Sequence, residues 1–361
     1  MSDRKLKDLR FYPTVFAVKN DYQIFVTTHG ETIVSVKVNG KLYHDEIAGV
    51  MRSKVPVHIV SVPQCELNKA KEYTVIYRRV LKRNYYGVDL DEPVEISFNF
   101  KPIESDKINV YHIADSHRLR KSVIEAGKYF GEDLDLLIFN GDVYECELED
   151  FYCQLMFASE ITKGEKCVVA SRGNHDVRGA FGEDYAKYNP TDNGMPYFTF
   201  RVGSVWGIVL DCGEDAADDY PKGSCIPAFR PFKEKQTEFI REVAKAKEYE
   251  EDGIKHRLLI SHHPIGMKLP APYDIDEDLY EEWSKIVYNE MRPELSLFGH
   301  THEAVICEEG GKCDAYGYQK GLAVIGSKPD FSEKAGFIGC GIVLSDKEPE
   351  IFFSDENRNK V

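Results

Sequence analysis

The chain has 361 residues and a mass of 41.2 kDa, which suggests two domains or one large one. Its composition, 42% hydrophobic and 30% charged, excludes a disordered chain, and no run reaches the length of a transmembrane helix. The net charge of −15 opposes binding to nucleic-acid polymers and anionic membranes. The N-terminus lacks the apolar core of a signal peptide, and none of the nine cysteines forms a CxxC pair. We therefore expect reduced thiols and a cytoplasmic protein.

The first hundred residues predict a small all-β domain. Runs rich in β-branched residues recur at short intervals, over 55–63, 71–81 and 93–100. Strands at such intervals, separated by turns such as Val-Asn-Gly at 38–40, are typical of a β-sandwich. A polar, proline-containing segment follows and predicts a domain joint. We therefore divide the chain into an accessory domain at 1–105 and a second domain at 106–361.

Beyond the joint the pattern alternates strands and helices. The predicted strands are 108–114, 134–140, 167–173, a hairpin over 196–213 that turns at Gly203-Ser204, 256–263, 295–300 and a strand-rich tail to about 354. The predicted helices are 118–130, 147–162 and 233–249. Such alternation indicates an α/β layered core with a buried sheet.

Six of the eleven histidines stand at or just after the ends of predicted strands, together with carboxylates and amides. The motifs, in chain order, are Asp115-Ser116-His117, Gly141-Asp142, Gly173-Asn174-His175-Asp176, His262-His263-Pro264 and Gly299-His300-Thr301-His302. Each motif by itself is common as a polar turn. Sheets of this class, however, gather their ligand sites beyond the carboxyl ends of the strands. The joint occurrence therefore indicates one shared site.

The residue types in these motifs are those of a metal centre. Aspartate, asparagine and histidine suit borderline divalent cations such as Mn²⁺, Fe²⁺ or Zn²⁺. Cysteine is absent from the set, which argues against a structural zinc site. His300 and His302 stand two residues apart, and in a strand this spacing places both rings on one face. Two closely spaced ions would also need a carboxylate between them.

The ordered series of motifs resembles that of the calcineurin-like metallophosphoesterase superfamily, over roughly residues 107–345. The resemblance implies an α/β fold, a four-layer sandwich of two mixed β-sheets flanked by helices, preceded by the small all-β sandwich. It also implies two divalent transition-metal ions, Mn, Fe or Zn, as cofactors. The implied ligands are, for the first metal, Asp115, His117 and His302; for the second, Asn174, His262 and His300; and between the two, Asp142.

The resemblance further implies an enzyme that hydrolyses a phosphate monoester or diester by in-line attack of a metal-bridging hydroxide. In the family pattern His175 does not bind metal but faces the phosphoryl group, and Asp176 steadies it. A phosphate ester is thus the expected partner, while the oligomeric state stays open. The alternative is a protein of the same fold that acts as a scaffold with weak or no catalysis. The presence of His175 and of all seven ligands favours the enzyme.

Three residues beside the motifs are further candidates for contact with the substrate: Arg118, Arg178 and His263. For the arginines we favour solvated positions at helix starts, and the alternative is that they hold phosphate oxygens through paired hydrogen bonds. We expect the side chain of His263 to point away from that of His262, toward the substrate or a structural contact. The acidic run of Glu214, Asp215, Asp218 and Asp219 predicts a solvated lid, with substrate selection as the alternative.

The N-terminal sandwich resembles the fibronectin-type-III-like domain that precedes the catalytic domain of purple acid phosphatases. Those enzymes have a tyrosine three positions after the bridging aspartate, and its phenolate binds ferric iron. Glu145 stands there in this sequence, so we expect no tyrosinate-bound ferric ion, and the metal identity stays open. A packed accessory role is predicted for the sandwich. The alternative is a binding face built on aromatic residues such as Tyr85 and Tyr86.

Overall fold

The computed structural model describes residues 6, 8–117, 119–144, 150–220 and 227–361. Within these ranges, the first hundred residues form ten strands and one short helix. The strands are β1 (Thr14–Val18), β2 (Asp21–Thr27), β3 (Thr32–Val38), β4 (Lys41–His44), β5 (Glu46–Ile47), β6 (Val50–Met51), β7 (Val57–Pro63), β8 (Glu72–Asn84), β9 (Gly87–Leu90) and β10 (Val94–Asn99). The helix is α1 (Gln64–Ala70).

Five of these strands form a sheet of their own. β10, β8, β3 and β4 lie side by side in that order, β9 pairs with β8, and β5 and β6 make a small separate ribbon. The turn between β3 and β4 has positive φ at both Asn39 and Gly40, the conformation that a two-residue hairpin loop requires. Tyr85 and Tyr86 are exposed at the tip of the β8–β9 hairpin. The all-β prediction for this region is confirmed, and the region is consistent with a fibronectin-III-like domain.

The rest of the chain alternates strands with helices and ends in strands. Its strands are β11 (Ile108–Ile113), β12 (Leu136–Asn140), β13 (Cys167–Ser171), β14 (Phe198–Val202), β15 (Val205–Leu210), β16 (His256–Ser261), β17 (Leu295–Phe298), β18 (Ala304–Cys307), β19 (Leu322–Gly326), β20 (Lys328–Pro329), β21 (Phe337–Leu344) and β22 (Glu350–Ser354). Its α-helices are α2 (Arg120–Gly127), α3 (Cys153–Thr162), α4 (Phe229–Ala246) and α5 (Glu277–Ile286). Short 3₁₀ segments lie at Gly131–Asp133, Asp150–Tyr152, His175–Val177, Gly179–Lys187 and Glu248–Glu250, and a π turn at Val287–Met291.

Two mixed sheets form the centre of the molecule. The larger has the order β20-β21-β11-β12-β13-β1-β2-β7, with β22 paired to β21, and β11, β12 and β13 in it are parallel. The smaller has the order β14-β15-β16-β17-β19-β18, in which β15, β16, β17 and β19 are parallel. Each sheet therefore presents several carboxyl strand ends at one edge.

The alternation of side chains along the strands explains how the layers stack. In β12, Leu136 and Ile138 join the core that also contains β16 residues, whereas Leu137 and Phe139 pack with residues of α2 and α3. In β16, Leu259 packs with residues of α4 and α5 instead. Strands covered on both faces carry apolar residues on both, which is the pattern seen here. The layers run helix, sheet, sheet, helix, and the predicted four-layer sandwich is confirmed.

The larger sheet also contains strands from the beginning of the chain. β1, β2 and β7 extend it, and β1 pairs in parallel with β13 through Val15 with Cys167 and Phe16 with Val168. The N-terminal sandwich and the second region therefore share a sheet. The division of the chain near residue 105 stays a prediction. Among the helices that the structure describes, none has the length and apolar character needed to cross a membrane.

Candidate metal centre

The motif residues come together where the parallel strands of the two sheets end. β11 leads to Asp115 and His117, β12 to Asp142, β13 to Asn174 and His175, β16 to His262 and His263, and β17 to His300 and His302. Donor atoms lie within 4.8 Å of one another in four groups of three: Asp115, His117 and His302; His117, Asp142 and His175; Asp115, Asp142 and His262; and His262, His263 and His300. The overlapping membership of these groups makes them one continuous cluster.

Five of these residues have backbone in the left-handed region, which residues other than glycine seldom adopt. The φ angles are 51° at Asp115, 43° at His117, 53° at Asp142, 71° at His300 and 53° at His302. Such strain persists only where the surrounding structure holds it, and it clusters at functional sites. Glycines in the motifs make room for the cluster. A Cβ atom on Gly173 would collide with Asp142, and one on Gly299 would lie 2.8 Å from Asp115 Oδ2.

Oδ2 of Asp142 is the atom at which the donor groups meet. It lies 3.2 Å from His262 Nε2, 3.9 Å from His175 Nε2 and 4.0 Å from His117 Nε2. The other carboxylate oxygen of Asp142, Oδ1, accepts a hydrogen bond of 2.8 Å from the backbone N–H of His175, which fixes its orientation. A carboxylate in this central position suits the bridging role predicted for Asp142.

The first predicted ligand set is compact. His117 Nε2 lies 3.1 Å from His302 Nε2, which in turn lies 3.5 Å from Asp115 Oδ1. The backbone N–H of His300 donates to both oxygens of Asp115 at 3.0 Å. Burial lowers the pKa of His117 to about 4 and also lowers the pKa of His302. A metal needs the neutral imidazole, and the lowered pKa values of both rings favour that form.

The second set gathers around Asn174 and contains one unexpected member. Oδ1 of Asn174 lies 3.2 Å from His300 Nδ1 and 3.4 Å from His263 Nε2. The rings of His263 and His262 have centroids only 5.5 Å apart, so the expectation that His263 points away from His262 is wrong. The strand β16 ends at Ser261, and strand alternation no longer governs the two residues that follow. His263 is consequently buried among the ligands, and burial lowers the pKa of its ring.

The surroundings of the His262 ring show whether the cluster fits a cation. Its Nδ1 lies 2.7 Å from the carbonyl oxygen of Asn140, which can only accept, so Nδ1 carries the proton. The buried Nε2 has no well-directed hydrogen-bond partner among the described residues, yet it faces Asp142 Oδ2 at 3.2 Å and Asp115 Oδ1 at 3.7 Å. Three electron-rich atoms in one buried space need a cation between them. Such a carbonyl contact on the far ring nitrogen is also how metal-binding histidines are usually oriented.

The pKa values of His262 and Asp115 also indicate that a positive charge stabilises this group of side chains. Burial opposes a charged His262 ring, but the carboxylates of Asp142 and Asp115 outweigh burial and raise the pKa of His262 to about 10. Burial and the negative charge of Asp142 raise the pKa of Asp115 to about 8, against the attraction of His262. Protons thus fill the place of a cation, and divalent ions would displace them. The donor set therefore fits the implied metals.

The carboxylate of Asp176 clamps two loops together. The expectation that it also steadies His175 stays a prediction. The carboxylate accepts hydrogen bonds from the backbone N–H groups of Gly173 at 2.8 Å, Asp142 at 3.0 Å, Val143 at 3.1 Å and Tyr144 at 3.2 Å. These contacts tie the loop after β12 to the loop after β13, and so tie Asp142 to the Asn174 segment.

Arg178 contacts the imidazole of His175. Its Nη1 donates to His175 Nε2 at 3.0 Å, while its Nε and Nη2 donate to the carboxylate of Glu214 at 2.6 and 2.8 Å. The guanidinium is therefore held at the centre by an ion pair and is not a solvated helix-start arginine. Its contact with a substrate stays a prediction. Arg118 and Glu145, the other positions singled out from the sequence, lie outside the described residues.

Glu214 and Asp215 are functional candidates that the sequence analysis placed in a solvated lid, and that placement is wrong. Both are buried. Glu214 Oε1 accepts a hydrogen bond from Asn174 Nδ2 at 3.2 Å, which turns the amide oxygen of Asn174 toward His300. Asp215 Oδ2 lies 3.2 Å from His300 Nε2, and burial opposes its charge, but the His300 hydrogen bond lowers its pKa. Both residues follow the end of β15, just as the motif residues follow their strands. This position in the sequence could have identified them as residues of the site.

Comparison with known proteins gives the cluster its context. The model of the calcineurin-like phosphoesterase family matches residues 108–304, more than half of the chain. No curated protein matches the sequence significantly. Among solved structures, a purple acid phosphatase from yellow lupin (Lupinus luteus) seeds is similar with a TM-score of 0.57 and 13% identity, over 96% of this chain and 72% of the lupin chain. PhoD is similar with a TM-score of 0.53 and 10% identity, over 98% of this chain and 92% of PhoD.

The two structural similarities agree with the four-layer fold and with the sandwich that precedes it. The family match spans the motif residues from the end of β11 to His302. Together with that fold, it establishes that this chain belongs to the calcineurin-like phosphoesterase family.

Proposed function

We propose that the protein is a dinuclear metal-dependent phosphoesterase that hydrolyses a phosphate monoester or diester. The observation that carries the proposal is the position of Asp142 Oδ2 between the two donor groups, because a carboxylate there can be shared by two cations. Membership of a phosphoesterase family supports ester hydrolysis. Two bound divalent ions would supply an activated water for in-line attack on phosphorus and would neutralise phosphoryl oxygens.

The proposed ligands follow the two donor groups. They are Asp115, His117 and His302 for the first ion, Asn174, His262 and His300 for the second, and Asp142 for both. His263 lies against Asn174 and His300 and is a further donor for the second ion. Manganese, iron and zinc all accept this mixture of oxygen and nitrogen atoms.

His175 and Arg178 are the proposed contacts for the ester itself. His175 Nε2 lies 3.9 Å from the shared oxygen of Asp142, within reach of a phosphoryl group bound there. Because Nε2 accepts an N–H of Arg178, it has to leave Arg178 and take up a proton before it can donate to the departing oxygen. Arg178 adds positive charge beside the phosphoryl oxygens. Asp176 acts indirectly, through the loops that it clamps.

Metal analysis combined with an assay tests the proposal. Protein stripped with a chelator and reloaded with Mn²⁺, Fe²⁺ or Zn²⁺ should bind two ions per chain and hydrolyse an aryl phosphate monoester, a bis-aryl diester or both. The stripped protein should be inactive. Two bound ions without hydrolysis of either ester would favour the scaffold alternative, and failure to bind two ions would contradict the dinuclear site.

Two further parts of the proposal concern the protein as a whole. The division into an accessory domain at 1–105 and a catalytic domain at 106–361 would be tested by limited proteolysis, with first cleavage expected in 101–107. A cytoplasmic location would be tested by cell fractionation. The substrate partner is a phosphate ester.

A further inference from the structure

Phe331 is an exposed aromatic side chain beside the predicted metal ligands. It lies in the turn between β20 and β21, and 58% of its surface is exposed to solvent. Its ring centroid is 5.5 Å from that of His117 and 5.6 Å from that of His302, with interplanar angles of 62° and 61°. One part of the ring therefore contacts two members of the first ligand set, while the rest is open to a ligand.

The turn that carries Phe331 is held by local hydrogen bonds. Asp330 N–H donates to the carbonyl of Gly336 at 2.9 Å, Ala335 N–H to the carbonyl of Ser332 at 2.9 Å, and Ser332 N–H to Asp330 Oδ1 at 2.9 Å. Phe331 is thus presented at a defined position rather than on a loose loop. Exposing a large apolar ring forgoes the free energy of burial. The exposed part of the Phe331 ring, beside the predicted metal ligands, is available to a ligand that binds there.

The ring contacts indicate where a substrate would meet Phe331. The His117 ring contacts that of His175 at 4.8 Å between centroids as well as that of Phe331. Phe331 therefore borders the same space as His175, the residue proposed to meet the departing oxygen. An organic group attached to that oxygen would extend along the first ligand set, toward Phe331.

We propose that Phe331 forms a stacking subsite for a planar aromatic group on the organic part of the ester. The inference rests on the proposed phosphoesterase function and adds a substrate class to it. Aromatic rings attract one another in offset or edge-to-face arrangements, and a flat ring gains more from such contact than a flexible alkyl chain of similar size. Two kinds of ester supply the planar group: a phenolic ester, with the ring bonded to the ester oxygen, and a nucleotide, with the base one sugar away.

Phosphonates test the subsite independently of catalysis, because their phosphorus–carbon bond is not hydrolysed. Phenylphosphonate and hexylphosphonate, which both carry six carbons, would be titrated calorimetrically into the metal-loaded wild type, Phe331→Leu and Phe331→Trp. Tyr86→Leu is the matched control, since Tyr86 is an exposed ring at the β8–β9 hairpin. Phe331→Leu should weaken phenylphosphonate binding roughly 5-fold to 100-fold and hexylphosphonate binding less than about 2-fold. Phe331→Trp and Tyr86→Leu should bind both as the wild type does.

Metal content is measured in each variant. Equal weakening of both phosphonates, or loss of an ion from Phe331→Leu, would overturn the subsite, since either result would make Phe331 a cover for the ligands. The KM values for phenyl phosphate, a nucleoside 5′-monophosphate and glycerol phosphate then distinguish the two sources: the ester whose KM rises most in Phe331→Leu carries the stacking ring. If the metal-loaded wild type hydrolyses neither these three monoesters nor a bis-aryl diester, the proposed function fails, and the phosphonate titration still decides the role of Phe331.

Discussion

Replacement of Asp215 by asparagine isolates the contribution of one buried hydrogen bond to the affinity for one metal ion. Asp215 Oδ2 lies 3.2 Å from His300 Nε2, while the other ring nitrogen, Nδ1, faces Asn174 Oδ1 at 3.2 Å. The carboxylate therefore fixes the tautomer in which Nδ1 offers its lone pair to the second site. An asparagine fills the same space but removes the charge that stabilises the Nε2–H donor.

The expected loss of metal affinity follows from the surroundings of the His300–Asp215 pair. The side chains of His300 and Asp215 are 14% and 10% exposed, so solvent screens their interaction only weakly. A hydrogen bond to an ionised partner is roughly twice as strong as one between neutral groups. Loss of such a partner behind a metal ligand typically lowers metal affinity about 10-fold to 100-fold. That range corresponds to about 1.4–2.7 kcal/mol in the binding free energy of one ion.

Stepwise metal titration of the stripped protein, followed by calorimetry or chelator competition, would resolve the two binding steps. In Asp215→Asn one step should weaken by this factor, and the other should keep the affinity of the wild type. Asp218→Asn is the matched control, because Asp218 lies in the same segment but accepts the backbone N–H of Phe229 instead. Unchanged affinity in both steps, or equal weakening of both, would refute the role given to Asp215.

Three other predictions concern single side chains. His175→Asn should keep both ions and lower kcat about 10²–10⁴-fold for an alkyl phosphate, with a smaller loss for an aryl phosphate whose leaving group needs no proton; an ion missing from this variant would identify His175 as a ligand. Asp142→Asn should lose at least one ion together with activity, whereas Asp106→Asn at an exposed position should lose neither; two ions retained in Asp142→Asn would contradict the bridge. The thiol of Cys313 donates to Cys307 Sγ at 3.1 Å and lowers the pKa of Cys307 from its ordinary value near 9 to about 7. The thiolate is thus populated above about pH 7, so the rate of Cys307 alkylation, followed by mass spectrometry, should rise through pH 7. In Cys313→Ala the rate should rise only at higher pH. Identical pH profiles of alkylation in the two proteins would exclude the hydrogen bond as the cause of the lowered pKa.

Much of the fold of residues 106–361 could be predicted from the sequence, because its strands are buried on both faces and end in motifs of polar residues. The hairpin turning at Gly203-Ser204 and the strand at 108–114 correspond closely to β14–β15 and β11. The predictions omitted α5, although its apolar residues Leu279, Trp283 and, just beyond it, Val287 recur at intervals of four and indicate a helix. That signal was present and overlooked.

Other features depend on partners that are distant in sequence. Glu214 and Asp215 looked solvated because acidic runs usually are. Their burial depends on Arg178 and His300, which lie in the loops after β13 and β17. Asp176 is adjacent to His175 in sequence, yet the left-handed backbone at Asp142 offers it a set of N–H groups that no motif reveals. Side-chain direction past the end of a strand, as at His263, is likewise set by packing and not by periodicity.

The parallel pairing of β1 with β13 has a consequence for how the chain folds. β1 is synthesised early, but its partner strand, which begins at Cys167, follows only after β11 and β12. Contacts between segments so far apart slow folding, and strand edges stay open while the chain waits for them. We therefore expect the N-terminal sandwich to finish folding together with the strands that lead to the metal ligands, not ahead of them. A chain that starts at residue 106 would expose the edge of β13 beside Asn174, and an unprotected edge of that kind invites association with other chains.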